Sequence, residues 1–310
     1  MRVTKDTPRL PAELRRVSTL RALAAPVGDV ALVLLAVAAS ITLHRWWVDV
    51  LAIITVVRAQ HALAIVMHDG AHHSLLAGRR ANDVVGRWVG YPVGVSMDVY
   101  RRVHTAHHRA ELSASDPDLP LMAGYPAAWR LWRKVARDLT LQTTGRNVAY
   151  MLRGTSRNGS AATRAPAAPR ARRAGSPRLP LLAGIAVAQL VVLGAFALAG
   201  HPWRYLELWL LPYVVLLPPI LRVRAVMEHG GKVASPDRRE TSRSVRRGLS
   251  PLGWLLAPHH VGFHVEHHVA PWVPHYRLPA VRRVLTAAGW LRERDVVRGY
   301  LPVWRELSAA

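Results

Sequence analysis

VDVLAIITVVRAQHALAIVMHDGAHH, residues 48–73, runs from a long apolar stretch straight into a knot of histidines. Its apolar part, 48–67, has close to the ~20 residues that cross a bilayer as a helix. Three more stretches read the same way, at 27–43, 179–200 and 206–221, the first and last of them short. The four spans pair into two hairpins, each closed by a tight polar turn, HRWWVD at 44–49 and HPWRYLE at 201–207. Tryptophan in both turns suits the headgroup level, where an amphipathic ring is favoured.

The chain as a whole combines 51% hydrophobic residues and a mean hydropathy of +0.10 with a formal net charge of +23. The two properties occupy different segments. Each turn carries one arginine offset by an acid, Arg45 with Asp49 and Arg204 with Glu207, while most other Lys and Arg lie in the N-terminal arm, the segment 68–178 and the tail from Arg222. The positive-inside rule then places both termini and the long segment on the cytoplasmic side of the inner or plasma membrane. The excess charge is a topology signal, and no nucleic-acid partner is expected. Cysteine is absent, so any metal must rest on imidazole, carboxylate or water. The stretch 153–178, rich in Ala, Pro, Ser, Gly and Arg with no acid, reads as a mobile basic linker, with acidic phospholipid docking as the alternative. The segments 86–95 and 127–139 read as amphipathic pieces lying at the interface. The expected organisation is an N-terminal arm, 1–26, followed by a single membrane domain, 27–310.

Histidine follows one pattern. His68 and His72 in HDGAHH are four apart; HTAHH puts His104, His107 and His108 on one helical face; HVEHH does the same with His264, His267 and His268. A random chain of this composition yields roughly 0.04 HxxHH matches, so two are no accident. All three clusters fall on the cytoplasmic side, with His229 of MEHGG just past the fourth span, whose Pro218–Pro219 pair is expected to break or bend the helix. So many imidazoles are too many for one tetrahedral zinc and suit two ions, while imidazole alone does not choose among Zn, Fe, Cu and Ni. Asp69, Glu228 and Glu266 adjoin these histidines and can accept a free ring N–H, or else be solvated. His73, His259 and His260 are open between ligand and supporting roles. Inside the second span, Arg58 lies about 15 Å along the helix from His68, near mid-bilayer, where a charge must face the bundle interior or water. It and His61 are candidates for either a structural polar network or a substrate-facing role.

HDGAH, HTAHHRAELSASDPD, HVEHHVAPWVPHYRLPAVRRVL and the EH after the last span together resemble the membrane fatty acid desaturase superfamily, which includes acyl desaturases, hydroxylases and carotenoid ketolases. The resemblance covers most of 48–285. It implies an all-α integral membrane protein with four transmembrane helices in two hairpins and a cytoplasmic helical cap holding a di-metal site. It also implies two non-haem irons, with O2 as co-substrate and electrons from a separate donor such as a ferredoxin. By motif position the iron ligands are His68, His72, His104, His107, His108, His264, His267 and His268, with His229 from the EH element. The expected activity is desaturation of a fatty acyl lipid, the substrate being a lipid or an acyl carrier. The rival on the same scaffold is a hydroxylase or ketolase of a lipid, carotenoid or other natural product. A histidine-rich metal-binding or transport protein is the reading from another class.

Overall fold

The computed structural model describes residues 6–122, 128–146 and 178–309. It is mostly helical, and four helices are long and apolar enough to cross a membrane. These are α1 (Thr19–Leu43) and α2 (Trp46–Ala71), and then α7 (Arg178–Leu198) and α8 (Leu206–His229). Between the pairs lie α3 (Arg79–Gly90), α4 (Met97–Ala110), α5 (Leu119–Met122) and α6 (Ala128–Leu139). After α8 come α9 (Arg238–Thr241), α10 (Pro251–Leu256), α11 (His264–Val269), α12 (Leu278–Ala287) and α13 (Tyr300–Ala309). The stretch expected to be a linker, 153–178, lies outside the described residues except for its last position.

One departure from an all-α chain is a small parallel sheet. β1 (Ser244–Arg246) pairs with β2 (Val296–Arg298), Ser244 opposite Val296. Strands this short leave no periodicity to read.

Helix α2 is central. Val56, Val57, Ala62, Val66 and Met67 are buried, whereas α1 exposes Val27, Leu34 and Leu35 and α7 exposes Leu190, Val191 and Leu198. Apolar side chains turned outward on long helices suit hydrocarbon rather than water. Near the hairpin turns, Ala52, Val56, Phe196, Tyr205, Leu208 and Trp209 form one apolar cluster. The turns themselves are tied together: Arg204 reaches Asp49 at 2.5 Å across the two hairpins and its own neighbour Glu207 at 2.6 Å. About 29 Å of α2 then separates Asp49 from His68, at 1.5 Å per residue.

Two expectations about helix shape change. Helix α1 begins at Thr19, upstream of the apolar stretch, with the Ser18 side chain accepting from the Arg21 N–H. The arm before it is also docked: Leu14 is buried with Val265, Val269 and Leu285, and the Ser18 N–H donates to Tyr276 Oη at 2.7 Å. Helix α8 is not broken at Pro218–Pro219. Leu206–Leu210 and Pro212–Leu216 are wound as π-helix, and the prolines fall in the first turn of the α-helical part, Leu217–His229. Proline is tolerated there because that turn's N–H groups have no partner in an ordinary helix start, and the looser winding absorbs the missing donors.

Of the two amphipathic pieces, 86–95 covers only the end of helix α3 and the turn that follows it, Tyr91–Val93, while 128–139 of the second is helix α6. Helix α6 buries Leu131 and Val135 against Val226 and Met227 of α8, while Trp132 on its other side is exposed.

Candidate metal centre

The C-terminal ends of α2 and α8 meet α4 and α11, and every one of the nine expected ligands arrives there. His68 sits in the last turn of α2 and His72 caps it; His104, His107 and His108 share one face of α4; His229 ends α8; His264, His267 and His268 share one face of α11. Helical spacing supplies the face, and the apolar packing of the helices supplies the convergence.

The ring nitrogens form two groups whose atoms lie within 4.8 Å of one another: His68, His72, His104, His108 and His267, and then His107, His229 and His268. His264 joins the second, its Nε2 at 2.7 Å from His229 Nε2 and 3.0 Å from His268 Nε2. In the first group His108 Nε2 is 3.0 Å from both His104 Nε2 and His267 Nε2, and His267 Nε2 is 3.1 Å from His68 Nε2.

Such contacts have a simple reading. A nitrogen carries one hydrogen or one lone pair, so a chain of Nε2 atoms each touching two others is not satisfied by hydrogen bonds. Two nitrogens bound to one ion at about 2.1 Å are themselves about 3.0–3.4 Å apart. The observed spacing matches that of ligands around a cation, and the buried His72 Nε2 has no hydrogen-bond partner.

The far side of some rings meets oxygen, chiefly in the second group, whereas the buried His108 Nδ1 has no hydrogen-bond partner. His107 Nδ1 donates to Asp116 at 2.9 Å and His229 Nδ1 to the Thr241 carbonyl at 2.9 Å. Asp69 Oδ1 lies 3.4 Å from His68 Nδ1, Glu111 Oε2 3.2 Å from His268 Nδ1 and Glu228 Oε2 3.6 Å from His264 Nδ1. A proton kept on Nδ1 leaves the Nε2 lone pair aimed into the centre. Burial, then the neighbouring rings, holds His72, His104, His108, His264 and His267 well below the ordinary imidazole value, so they are neutral and able to bind metal. Burial opposes charge at His107 too, but the bond to Asp116 outweighs it and raises that ring.

Some expected residues stand elsewhere. Glu266 is fully buried but holds no ring: it accepts from Ser244 Oγ and Arg282 Nε, so it ties α11 to β1 and α12. On α11 the face that carries the histidines points to the centre, and Glu266 points away. His73 pairs with Asp83 at 3.2 Å, His259 with Asp29 at 2.5 Å, and His260 packs on Phe263, all outside both ligand groups. Arg58 is met inside the bundle by Asp29 of α1, and the α10 region packs against α2 at this level, with His61 Nδ1 at 3.2 Å from the Leu255 carbonyl.

Glu111, Asp116, Asp29 and His275 had no assigned role in the sequence. Glu111 is buried between His229, His268 and Arg238; burial opposes its charge, but His268, His229 and Arg238 hold it well below the usual carboxylate range. Asp116 begins the DPD element that follows the second box, which was the available signal. Asp29 was visible as an acid inside the first span. His275 Nδ1 donates to Asp69 Oδ2 at 2.8 Å, and only the fold brings them together.

The family model described as "Fatty acid desaturase" matches residues 44–294. A "Beta-carotene ketolase" of Paracoccus sp. (strain N81106 / MBIC 01143) is 28% identical over 223 residues, 71% of this chain and 73% of the ketolase. An "Omega-3 fatty acid desaturase, chloroplastic" of Glycine max is 26% identical over 70% of this chain and 49% of its own length. An "sn-2 acyl-lipid omega-3 desaturase (ferredoxin), chloroplastic" of Helianthus annuus is 25% identical over 83% of this chain and 60% of its own length. With four long apolar helices, the convergent histidine groups and a family match spanning most of its length, this chain belongs to the fatty acid desaturase family.

Proposed function

We propose that the protein is an O2-dependent oxidoreductase that introduces a C=C bond into the acyl chain of a membrane lipid. The observation that carries this reading is the pair of groups with ring nitrogens at ligand spacing, the second of which also has the far nitrogens of His107 and His229 held by oxygen. The donor set fits two irons. His68, His72, His104, His108 and His267 would hold one, and His107, His229, His264 and His268 the other. When bound, iron supplies the oxidising power to remove hydrogen from an unactivated C–H bond, with O2 and external electrons.

The chain's own residues supply the rest. Asp116, the Thr241 carbonyl, Asp69 and Glu111 favour protons on Nδ1 of the rings that they face. The buried helix ends of α2 and α8 keep bulk water from the centre. The basic loops put the centre and both termini on the cytoplasmic side, where a separate, acidic electron donor is favoured by charge.

A second reading is oxygenation to a hydroxyl or keto product. It is favoured by the two β-carotene ketolases, each matched over nearly three quarters of its own length, against about half for the Glycine max desaturase. Expression in a lipid-producing host followed by untargeted lipid mass spectrometry separates them: desaturation removes two hydrogens, whereas oxygenation adds oxygen. Iron analysis of the purified protein checks the metal. A chain without iron that changes no lipid would sink both readings.

A further inference from the structure

We propose that a cavity beside the metal centre is an anion-binding site that takes the phosphate-bearing head of the lipid substrate. For the word substrate this rests on the lipid-oxidation reading above. The cavity has a volume of about 590 Å³ and lies between the start of α1, the Arg58 level of α2, the end of β1 and the segments 257–263 and 275–276. That size suits a headgroup and the first part of a chain.

Its lining is one-sided in charge. Arg21, Arg58 and Arg247 face it, together with His259, His260 and His275, and no acid does. The nearby Asp29 is already bound by Arg58 and His259, and Arg58 Nε is buried with no hydrogen-bond partner. Arg21 and Arg247 are exposed, and among the described residues neither forms an ion pair. Converging guanidinium groups with spare donors are the usual means of holding phosphate, through charge-assisted and often bidentate bonds. The backbone here is also unusual. His259 and His260 are consecutive and both left-handed, with φ of 48° and 59°. Two such residues in a row are unfavourable for histidine and are found where surrounding structure holds a site in shape.

The cavity wall also connects to the centre. His275 lines the cavity while its Nδ1 bonds Asp69, and Asp69 in turn faces His68. A head held here stands next to the oxidising end of the molecule. A neutral carotenoid offers nothing for these cations to bind, so the site selects an anionic lipid.

The binding test uses the full chain in neutral detergent and needs neither iron nor turnover. Equilibrium binding of radiolabelled dioctanoylphosphatidylglycerol is compared with dioctanoylglycerol and inorganic phosphate, for wild type and for Arg21→Gln/Arg247→Gln. The phosphatidylglycerol should bind at least ten-fold tighter than either comparison compound, and the double variant should lose at least ten-fold of that affinity. The Arg21→Lys/Arg247→Lys variant should recover part of it. If the glutamine variant does not fold, the wild type still decides: rising salt should weaken phosphatidylglycerol binding and leave dioctanoylglycerol unchanged. Equal binding of the two lipids, free phosphate binding as tightly as the lipid, or an unaffected double variant would each overturn the proposal. Loss of turnover alone leaves it standing. Oxidation of β-carotene with undiminished kcat/KM in the double variant would overturn the substrate assignment while leaving the oxidation reading intact.

Discussion

His108 and His268 stack face to face, their ring centroids 4.3 Å apart and their planes 21° from parallel. One comes from each HxxHH box, and one from each ligand group, so this contact joins the two groups into a single centre. Removing either ring takes away a ligand and the packing partner of its neighbour. His108→Ala and His268→Ala should therefore lose metal from both groups. His104→Ala and His267→Ala should abolish turnover as well. Metal analysis together with product detection checks this, and an active, metal-replete alanine variant at any of the four would count against the ligand assignment.

Asp116 and Glu111 lie against the outer nitrogens of His107 and His268. Asp116 accepts from His107 Nδ1 and also from the Leu112 and Asp118 N–H groups, so it sets both the ring and the turn beneath it. Asp116→Asn and Glu111→Gln should each lower metal affinity or activity by about 10- to 100-fold, the usual range for such supports. Metal titration of the purified variants reads the effect, and unchanged affinity in both would show that the braces are merely structural.

Asp29 and Arg58 form a buried pair between α1 and α2. Asp29→Leu leaves the arginine uncompensated and should destabilise by about 3–5 kcal/mol. Combining it with Arg58→Met should recover most of that loss, because no charge is then left buried. Thermal unfolding in detergent distinguishes the two, and a double variant no more stable than the single one would contradict the pairing.

Acid should destabilise the metal-free protein. The lowered rings His72, His104, His108, His264 and His267 stay neutral when folded, whereas the same rings titrate near pH 6.5 when unfolded. Below that pH the unfolded state binds more protons, so stability is full above about pH 6.5 and falls as pH drops, by up to about 1.4 kcal/mol per unit for each such ring. Melting curves from pH 8 to pH 5 should show the fall. Bound metal should deepen it, since protons then compete with the ion for the same nitrogens.

How much could be read in advance depends on the range of the interaction. The four spans and the helical faces of HTAHH and HVEHH follow from local spacing, hydropathy and charge, whereas the set of nine histidines came from the resemblance and their convergence from packing. Helix α1 starting at Thr19 and the π winding before Pro218 were not legible, because both depend on capping and on backbone adjustments that hydropathy does not record. Glu266 illustrates the limit within a box. Its position beside two ligands suggested that it braces a ring, yet the helical turn points it to Ser244 and Arg282.

By itself, then, the sequence determined the four long apolar helices, imidazole as the abundant donor and which face of each short helix carries it. Those are properties of neighbours along the chain, set by a 3.6-residue turn and by the cost of apolar surface in water. Tertiary structure alone decided that nine rings divide into two groups, that Asp116, Glu111 and Thr241 hold their outer nitrogens, and that Asp29 answers Arg58 across two helices. It also decided that Arg21, Arg58 and Arg247 face one cavity beside His275. Each of these pairs groups that are distant along the chain, and only the packing of α1, α2, α4, α8 and α11 brings them within reach of one another.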